Sequence, residues 1–363
     1  LYLFAVTVLV LASCNSTNKY KITGSVQGGY DGEKVYLMER VNRDFVNVDS
    51  AVIADGKFIL EGTQPEPVNR YLAFTDGEND PLFVDFFLEN GNIDIYLAES
   101  EENSTVKGTA INNSYQSFKD EMYQLQGKLM ASYSALQGGT VAEEEREAKM
   151  KEIEDVQDEM TQVIKKYISG NSNSVLGAYL LSTNQYNFSY DEVDEFLTKI
   201  PENLQTDEGI VKMKENIQAY KNTAEGKKFV DFKLETPEGE AINLSDYAGT
   251  GKVVLVDFWA SWCGPCVREM PRLVEMYEKY KNQGFEIVGV SLDSDGEAWK
   301  KGIERLNITW PQMSDLKGWQ SEAAKMYAIR SIPHVLVLDK DGVIVSRGLH
   351  GEELQKKIEE LMK

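Results

Sequence analysis

The chain has 363 residues, 42% hydrophobic and 27% charged, a balance suited to soluble globular domains and a length that allows two or three of them. Its formal net charge of −21 at pH 7 argues against nucleic acid or an anionic membrane surface as the main partner. Residues 226–363 carry 19 Lys and Arg against 22 Asp and Glu, so most of the acidity falls in 1–225, as a solvated face there would produce.

Residues 1–13 form an uncharged apolar stretch, too short for a membrane span of about 20 residues. It reads as the apolar part of a secretory signal whose positive start is missing, which suggests that the chain opens inside a precursor. Leu11-Ala12-Ser13-Cys14, followed by polar Asn15-Ser16-Thr17-Asn18, resembles a bacterial lipobox. That resemblance implies a lipidated Cys14, with 14–19 as its tether and several acyl chains as the anchor. An ordinary signal peptide with an incidental cysteine is the alternative.

Residues 20–112 predict an all-β domain, an antiparallel sandwich or barrel, with strands at 21–26, 34–38, 57–62, 71–74 and 93–97. Asp31-Gly32, Asp55-Gly56, Asp76-Gly77 and Asn90-Gly91 are hairpin-type turns between them. The carboxylates here are scattered through turns and form no catalytic constellation.

Residues 113–225 predict helices, at 113–136 and 141–168 with Gly138-Gly139 as the break, then at 175–181, 190–197 and 210–220. Met150, Ile153, Val156, Met160 and Ile164 step by three or four and make one apolar stripe. The stripe packs within the chain or serves as a homodimer surface.

Residues 226–363 alternate: strands at 229–234 and 253–259, helix 263–281, strand 285–292, helices 297–306 and 322–327, strands 335–338 and 343–347, helix 352–362. This order implies an α/β sheet covered on both faces, closed by a hairpin at Asp341-Gly342. Cys263-Gly264-Pro265-Cys266 stands where the strand ending at Trp259 hands over to a helix. A thiol at a helix N-terminus is favoured as thiolate by the unpaired N–H groups and the helix dipole, and a partner one turn on can close a ring. The spacing is a device for dithiol–disulfide chemistry. A zinc site needs about four ligands, and only His334 and His350 are at hand besides these thiols, so no metal and no bound cofactor are expected.

The string Val256-Asp257-Phe258-Trp259-Ala260-Ser261-Trp262-Cys263-Gly264-Pro265-Cys266, with Pro271 after it and Ser331-Ile332-Pro333 before a strand, resembles thioredoxin. An added segment around 297–310 makes it more similar to the TlpA/ResA branch of envelope thiol–disulfide proteins. The resemblance covers 226–363 and implies a thioredoxin fold there. The acidic β domain, helical stretch and anchor also resemble a subgroup of that branch.

By that resemblance Cys263 attacks a substrate disulfide and Cys266 resolves the mixed disulfide. Pro333 would be cis, setting the Ile332 backbone beside Cys263 to pair with an extended substrate. Trp262 would be a flat platform for substrate, with Trp259 beside it. Asp257 and Glu269 are rival acceptors for the Cys266 proton. One departure stands out: the lysine that thioredoxin pairs with its aspartate aligns with Gly289. His334 either tunes the thiolate or points to the opposite face of its strand.

The implied activity is reduction of disulfides, since Gly264-Pro265 resembles the dipeptide of thioredoxin, at roughly −270 mV against about −120 mV for the oxidant DsbA. A membrane thiol reductase would supply electrons, and cytochrome c apoproteins or oxidised envelope proteins would be clients. The chain would be lipid-anchored in a bacterial envelope and face the periplasm. A partner-binding lipoprotein with a secondary redox role is one alternative. A peroxidase of the peroxiredoxin type is another, and it needs a threonine where Ala260 stands.

Overall fold

A computed structural model describes residues 18–42, 44–75, 81–137 and 143–363. The apolar stretch 1–13, Cys14, the Asp76-Gly77 turn and the Gly138-Gly139 break lie outside the described residues. Two compact units divide the chain: residues up to 187 with 198–205 in one, 188–197 with 206–363 in the other.

The first unit holds β1 (Tyr20–Val26), β2 (Lys34–Val41), β3 (Asp44–Val52), β4 (Lys57–Gly62), β5 (Val68–Phe74), β6 (Leu82–Leu88), β7 (Gly91–Leu97) and β8 (Thr105–Lys107). They form two four-stranded sheets, in the orders β4-β1-β7-β8 and β3-β2-β5-β6. Alternation drives the pairing of faces: β4 buries Phe58 and Leu60 and exposes Lys57, Ile59 and Glu61. The shared core joins Ile22, Leu60 and Ile93 of one sheet to Val35, Leu37, Leu72 and Phe86 of the other. Pairing is antiparallel except between β1 and β7, which run parallel. Asp55 and Gly56 both have positive φ, 53° and 66°, and close the predicted turn.

Two further strands of this unit, β3 and β6, escape a reading by alternation. Most of β3 is exposed, so no core imposes a period on it; β6 is Leu82-Phe83-Val84-Asp85-Phe86-Phe87-Leu88, nearly continuous in apolar character. Helices α1 (Ala110–Gln137), α2 (Glu143–Gly170) and α3 (Val175–Asn184) complete the unit. Of the predicted stripe, Ile153, Val156 and Ile164 are buried while Met150 is exposed. Glu121 of α1 accepts from Lys166 and Tyr167 of α2 and fastens the helix pair.

The second unit starts with α4 (Tyr190–Leu197) and α5 (Glu208–Asn222), followed by the hairpin β9 (Lys233–Glu235) and β10 (Ala241–Asn243). Then come β11 (Val253–Trp259), α6 (Gly264–Tyr280), β12 (Phe285–Ser291), α7 (Gly296–Arg305), β13 (Gln312–Met313), α8 (Glu322–Met326), β14 (His334–Leu338), β15 (Ile344–Arg347) and α9 (Gly351–Leu361). The sheet order is β13-β12-β11-β14-β15, with β11, β12 and β13 parallel and β14 and β15 antiparallel. Every residue of β11 and β12 is buried, as central strands covered on both faces require. The strand predicted from residue 229 begins only at Lys233, because Lys228 and Phe229 bond instead to the 342–343 turn.

Candidate active site

The chain leaves the end of β11 and enters α6 through Ala260-Ser261-Trp262-Cys263. Cys263 is the N-cap of α6, and Pro265 occupies the first turn, where its missing N–H costs nothing. Cys263 and Cys266 are joined as a disulfide, with their Cα atoms 5.3 Å apart. The Cys263 Sγ accepts the backbone N–H of Cys266 at 3.2 Å, so the helix start already directs a donor at the sulfur that would carry thiolate charge. Both cysteines are buried, whereas Trp262 is 57% exposed beside them.

The Ile332–Pro333 peptide is cis, and the Ile332 carbonyl oxygen lies 3.7 Å from Cys263 Sγ. The sequence-distant loop ahead of β14 therefore flanks Cys263 Sγ. His334 is the β14 partner of Phe258, next to Asp257 in β11, which turns its ring to the face opposite Asp257. Its Nε2 has no partner, and burial together with the Arg347 and His350 charges pushes the imidazole down to about 4. Of the two roles open to His334, the register favours the opposite-face position.

Asp257 is 2% exposed, and its Oδ2 has no hydrogen-bond partner. Burial, with the Glu269 charge adding to it, pushes the carboxyl up to about 7. A carboxyl held near neutrality is suited to exchange a proton during disulfide chemistry. Glu269 is half-buried and accepts the backbone N–H of Gly351 at 2.9 Å, tying α6 to the start of α9. The two predicted proton acceptors are thus electrostatic neighbours, but only Glu269 is engaged by a backbone donor.

Sequence reading missed two supporting groups. Gln312 is buried in β13 opposite Gly289, and its Oε1 accepts from Trp259 Nε1 at 2.9 Å. Asp293 is buried and accepts from Ser261 N–H at 2.9 Å, Ser261 Oγ–H at 2.6 Å and Ser291 Oγ–H at 2.7 Å. It pins the strand exit just ahead of Trp262 and Cys263. Ser261 and Asp293 stand 32 positions apart, so no local pattern announces the pair.

A disulfide across the first turn of the helix after a central parallel strand, beside a cis-proline, defines a thiol–disulfide oxidoreductase of thioredoxin fold. Comparison with known proteins agrees. Residues 226–347 match the AhpC/TSA family model, and 20–115 match a domain of unknown function, DUF4369. The thiol-disulfide oxidoreductase ResA of Bacillus thuringiensis is 34% identical over 138 residues, 38% of this chain and 76% of that protein. ResA of Geobacillus kaustophilus is 33% identical over 139 residues, 38% of this chain and 77% of its own. Among solved structures, a thioredoxin domain of a Bacteroides vulgatus thiol-disulfide oxidoreductase is 34% identical, covering 39% of this chain and 99% of its own, with TM-score 0.36. A thiol-disulfide oxidoreductase from Bacteroides fragilis is 37% identical, covering 37% and 99%, also with TM-score 0.36. The chain belongs to the ResA family of thiol–disulfide oxidoreductases.

Proposed function

We propose that the chain reduces disulfides of envelope proteins, with Cys263 attacking and Cys266 resolving. The observation that carries this reading is Cys263 Sγ at the head of α6, in reach of the Cys266 N–H and beside the Ile332 carbonyl. In the reduced protein the Cys263 thiolate attacks a client sulfur, forming the mixed disulfide and expelling the client's first thiolate. Cys266 then gives up its proton, attacks Cys263 Sγ and expels the second client thiolate. Two electrons pass to the client and the Cys263–Cys266 disulfide remains.

Asp257 is the acceptor we favour for the Cys266 proton, because its raised carboxyl and unpartnered Oδ2 leave it able to take one. Glu269 is the secondary acceptor, since its Oε1 is already committed to Gly351. Ile332 and Pro333 form the edge along which an extended client lies, and exposed Trp262 is the platform beside it. A membrane thiol reductase restores the dithiol, cytochrome c apoproteins are a client class, and a lipidated Cys14 anchors the chain. The match to the AhpC/TSA model does not favour a peroxidase, because residue 260 is a buried alanine.

The test is trapping. Cys266→Ser incubated with insulin accumulates a mixed disulfide that dithiothreitol releases, and Cys263→Ser does not. An adduct formed through Cys266 alone would overturn the order of attack. A Cys263/Cys266 potential near −270 mV supports the reductant, and one near about −120 mV would reverse the direction of electron flow. Mass spectrometry finding an unmodified Cys14 in the mature chain removes the anchor.

A further inference from the structure

Helices α4 and α5 lie outside the segment that matches the AhpC/TSA family model, which begins at residue 226, yet they grip the chain just ahead of the cis-proline. The grip is made by stacked rings, stacked guanidinium groups and hydrogen bonds. The Tyr190 hydroxyl donates to the Ala328 carbonyl. The Arg330 guanidinium lies 3.6 Å over the Tyr190 ring and its Nη2 donates to the Phe188 carbonyl at 3.3 Å. Tyr190 stacks on Tyr220 at 4.1 Å, which joins α4 to α5. Arg347 lies over Tyr220 at 5.0 Å and bridges the Thr223 carbonyl, at 2.6 Å, to the Tyr327 carbonyl, at 2.7 Å.

The gripped segment is 327–330, and Ser331, Ile332 and Pro333 follow without another residue between. Ala328, with φ 52°, is the left-handed residue that ends α8, where the Ile329 N–H returns to the Ala324 carbonyl at 2.8 Å. The Ala328 carbonyl is the one that Tyr190 takes. A planar cation stacked on a ring resists sliding, and each neutral hydrogen bond adds about 1 kcal/mol of restraint. The segment leading to Ile332 is therefore held by α4 and α5, which carry no thiol chemistry, as well as by the end of α8.

We propose that Tyr190 and Arg330 are positioning residues for protein disulfides: they hold segment 327–330 so that Ile332 presents its backbone to an extended client. This rests on the docking edge argued above. A small disulfide needs no backbone edge, so its reduction is independent of the brace. The effect belongs in KM for a protein substrate and not in kcat.

The full-length chain, with Cys263 and Cys266 intact and dithiothreitol as electron source, is assayed on fluorescently labelled insulin and on hydroxyethyl disulfide. Tyr190→Phe keeps the ring stacks and loses the bond to the Ala328 carbonyl; its insulin KM rises about fivefold, the weight of one such hydrogen bond. Arg330→Met loses both stack and hydrogen bond, and its insulin KM rises about tenfold or more. In both variants kcat and the hydroxyethyl disulfide rate stay within about twofold. The small-disulfide rate reports the dithiol chemistry alone, so failure of the dithiol assignment shows there and failure of the brace shows in the insulin KM. Unchanged insulin KM in both variants overturns the proposal, as does an equal loss on both substrates. Should Arg330→Met fail to fold, Tyr190→Phe decides alone.

Discussion

Asp257 of β11 and Gly289 of β12 are direct register partners across the parallel pair, and the space that a side chain at Gly289 would enter is taken by Gln312. A Cβ built on Gly289 would lie 2.0 Å from Gln312 Nε2 and 2.5 Å from its Cδ. The position that aligns with the lysine of thioredoxin therefore has no room for one here. Asp257 faces this site unpaired, which is why burial dominates its behaviour.

Gly289→Ala should destabilise the second unit by about 1–3 kcal/mol, the usual cost of overpacking, because the Gln312 amide is held by Trp259 and cannot swing away freely. In a Gln312→Ala background the same substitution should become neutral or slightly stabilising, since alanine suits a strand better than glycine. All five tryptophans lie in 226–363, so tryptophan fluorescence during urea unfolding reports this unit. Equal costs in both backgrounds would refute the steric account.

Two buried groups should give opposing pH slopes. Asp257 keeps its proton up to about 7 in the folded chain, so stability declines as pH rises from about 4, where the unfolded chain loses that proton, to about 7. His334 refuses a proton down to about 4, so stability declines as pH falls from about 6.5, where the unfolded chain gains one, to about 4. Each effect is on the order of 3 kcal/mol across its window, and in the oxidised wild type they largely cancel. Asp257→Asn should leave a protein that weakens toward acid, and His334→Gln one that weakens toward neutral pH. Urea midpoints at about pH 5 and about pH 7 decide it, and parallel slopes in the two variants would count against both assignments.

Asp293→Ala should slow insulin and hydroxyethyl disulfide reduction together. It strands the half-buried Ser261 N–H and hydroxyl and the buried Ser291 hydroxyl, the last at about 1–3 kcal/mol. The loop that carries Trp262 and Cys263 then loses its fixed point. A loss confined to insulin would instead assign Asp293 to client docking.

In the first unit, Asp85 meets Lys119 Nζ at 3.0 Å and accepts the Tyr115 hydroxyl at 2.5 Å. Lys119 is buried and would keep only Glu101, at 3.7 Å, and the residue-85 carbonyl as partners, so Asp85→Ala should cost about 1–3 kcal/mol. Tyrosine near-ultraviolet circular dichroism should show the first unit unfolding earlier, while tryptophan fluorescence keeps its midpoint. A shift of both signals by the same amount would sink the idea that the effect is local.

The reaction was legible in the residues themselves. Cys263-Gly264-Pro265-Cys266 after an apolar strand is a local pattern whose spacing points to dithiol chemistry, and Ile332-Pro333 draws its meaning from the resemblance to thioredoxin. Helix boundaries are close for the same reason: the sequence predicts α4 over 190–197 and the helix spans Tyr190–Leu197, because amphipathic period is local. Strand β3 was not legible, since an edge strand with little burial carries no period. Tertiary structure alone decided the surroundings of the sulfurs. Gln312 over Gly289, Asp293 on Ser261 and Tyr190 on Ala328 join residues far apart in sequence, and no side chain in any of these pairs is unusual until the fold brings its partner. A contact of that kind depends on how the sheet registers and where the loops return, and only the packed chain supplies either.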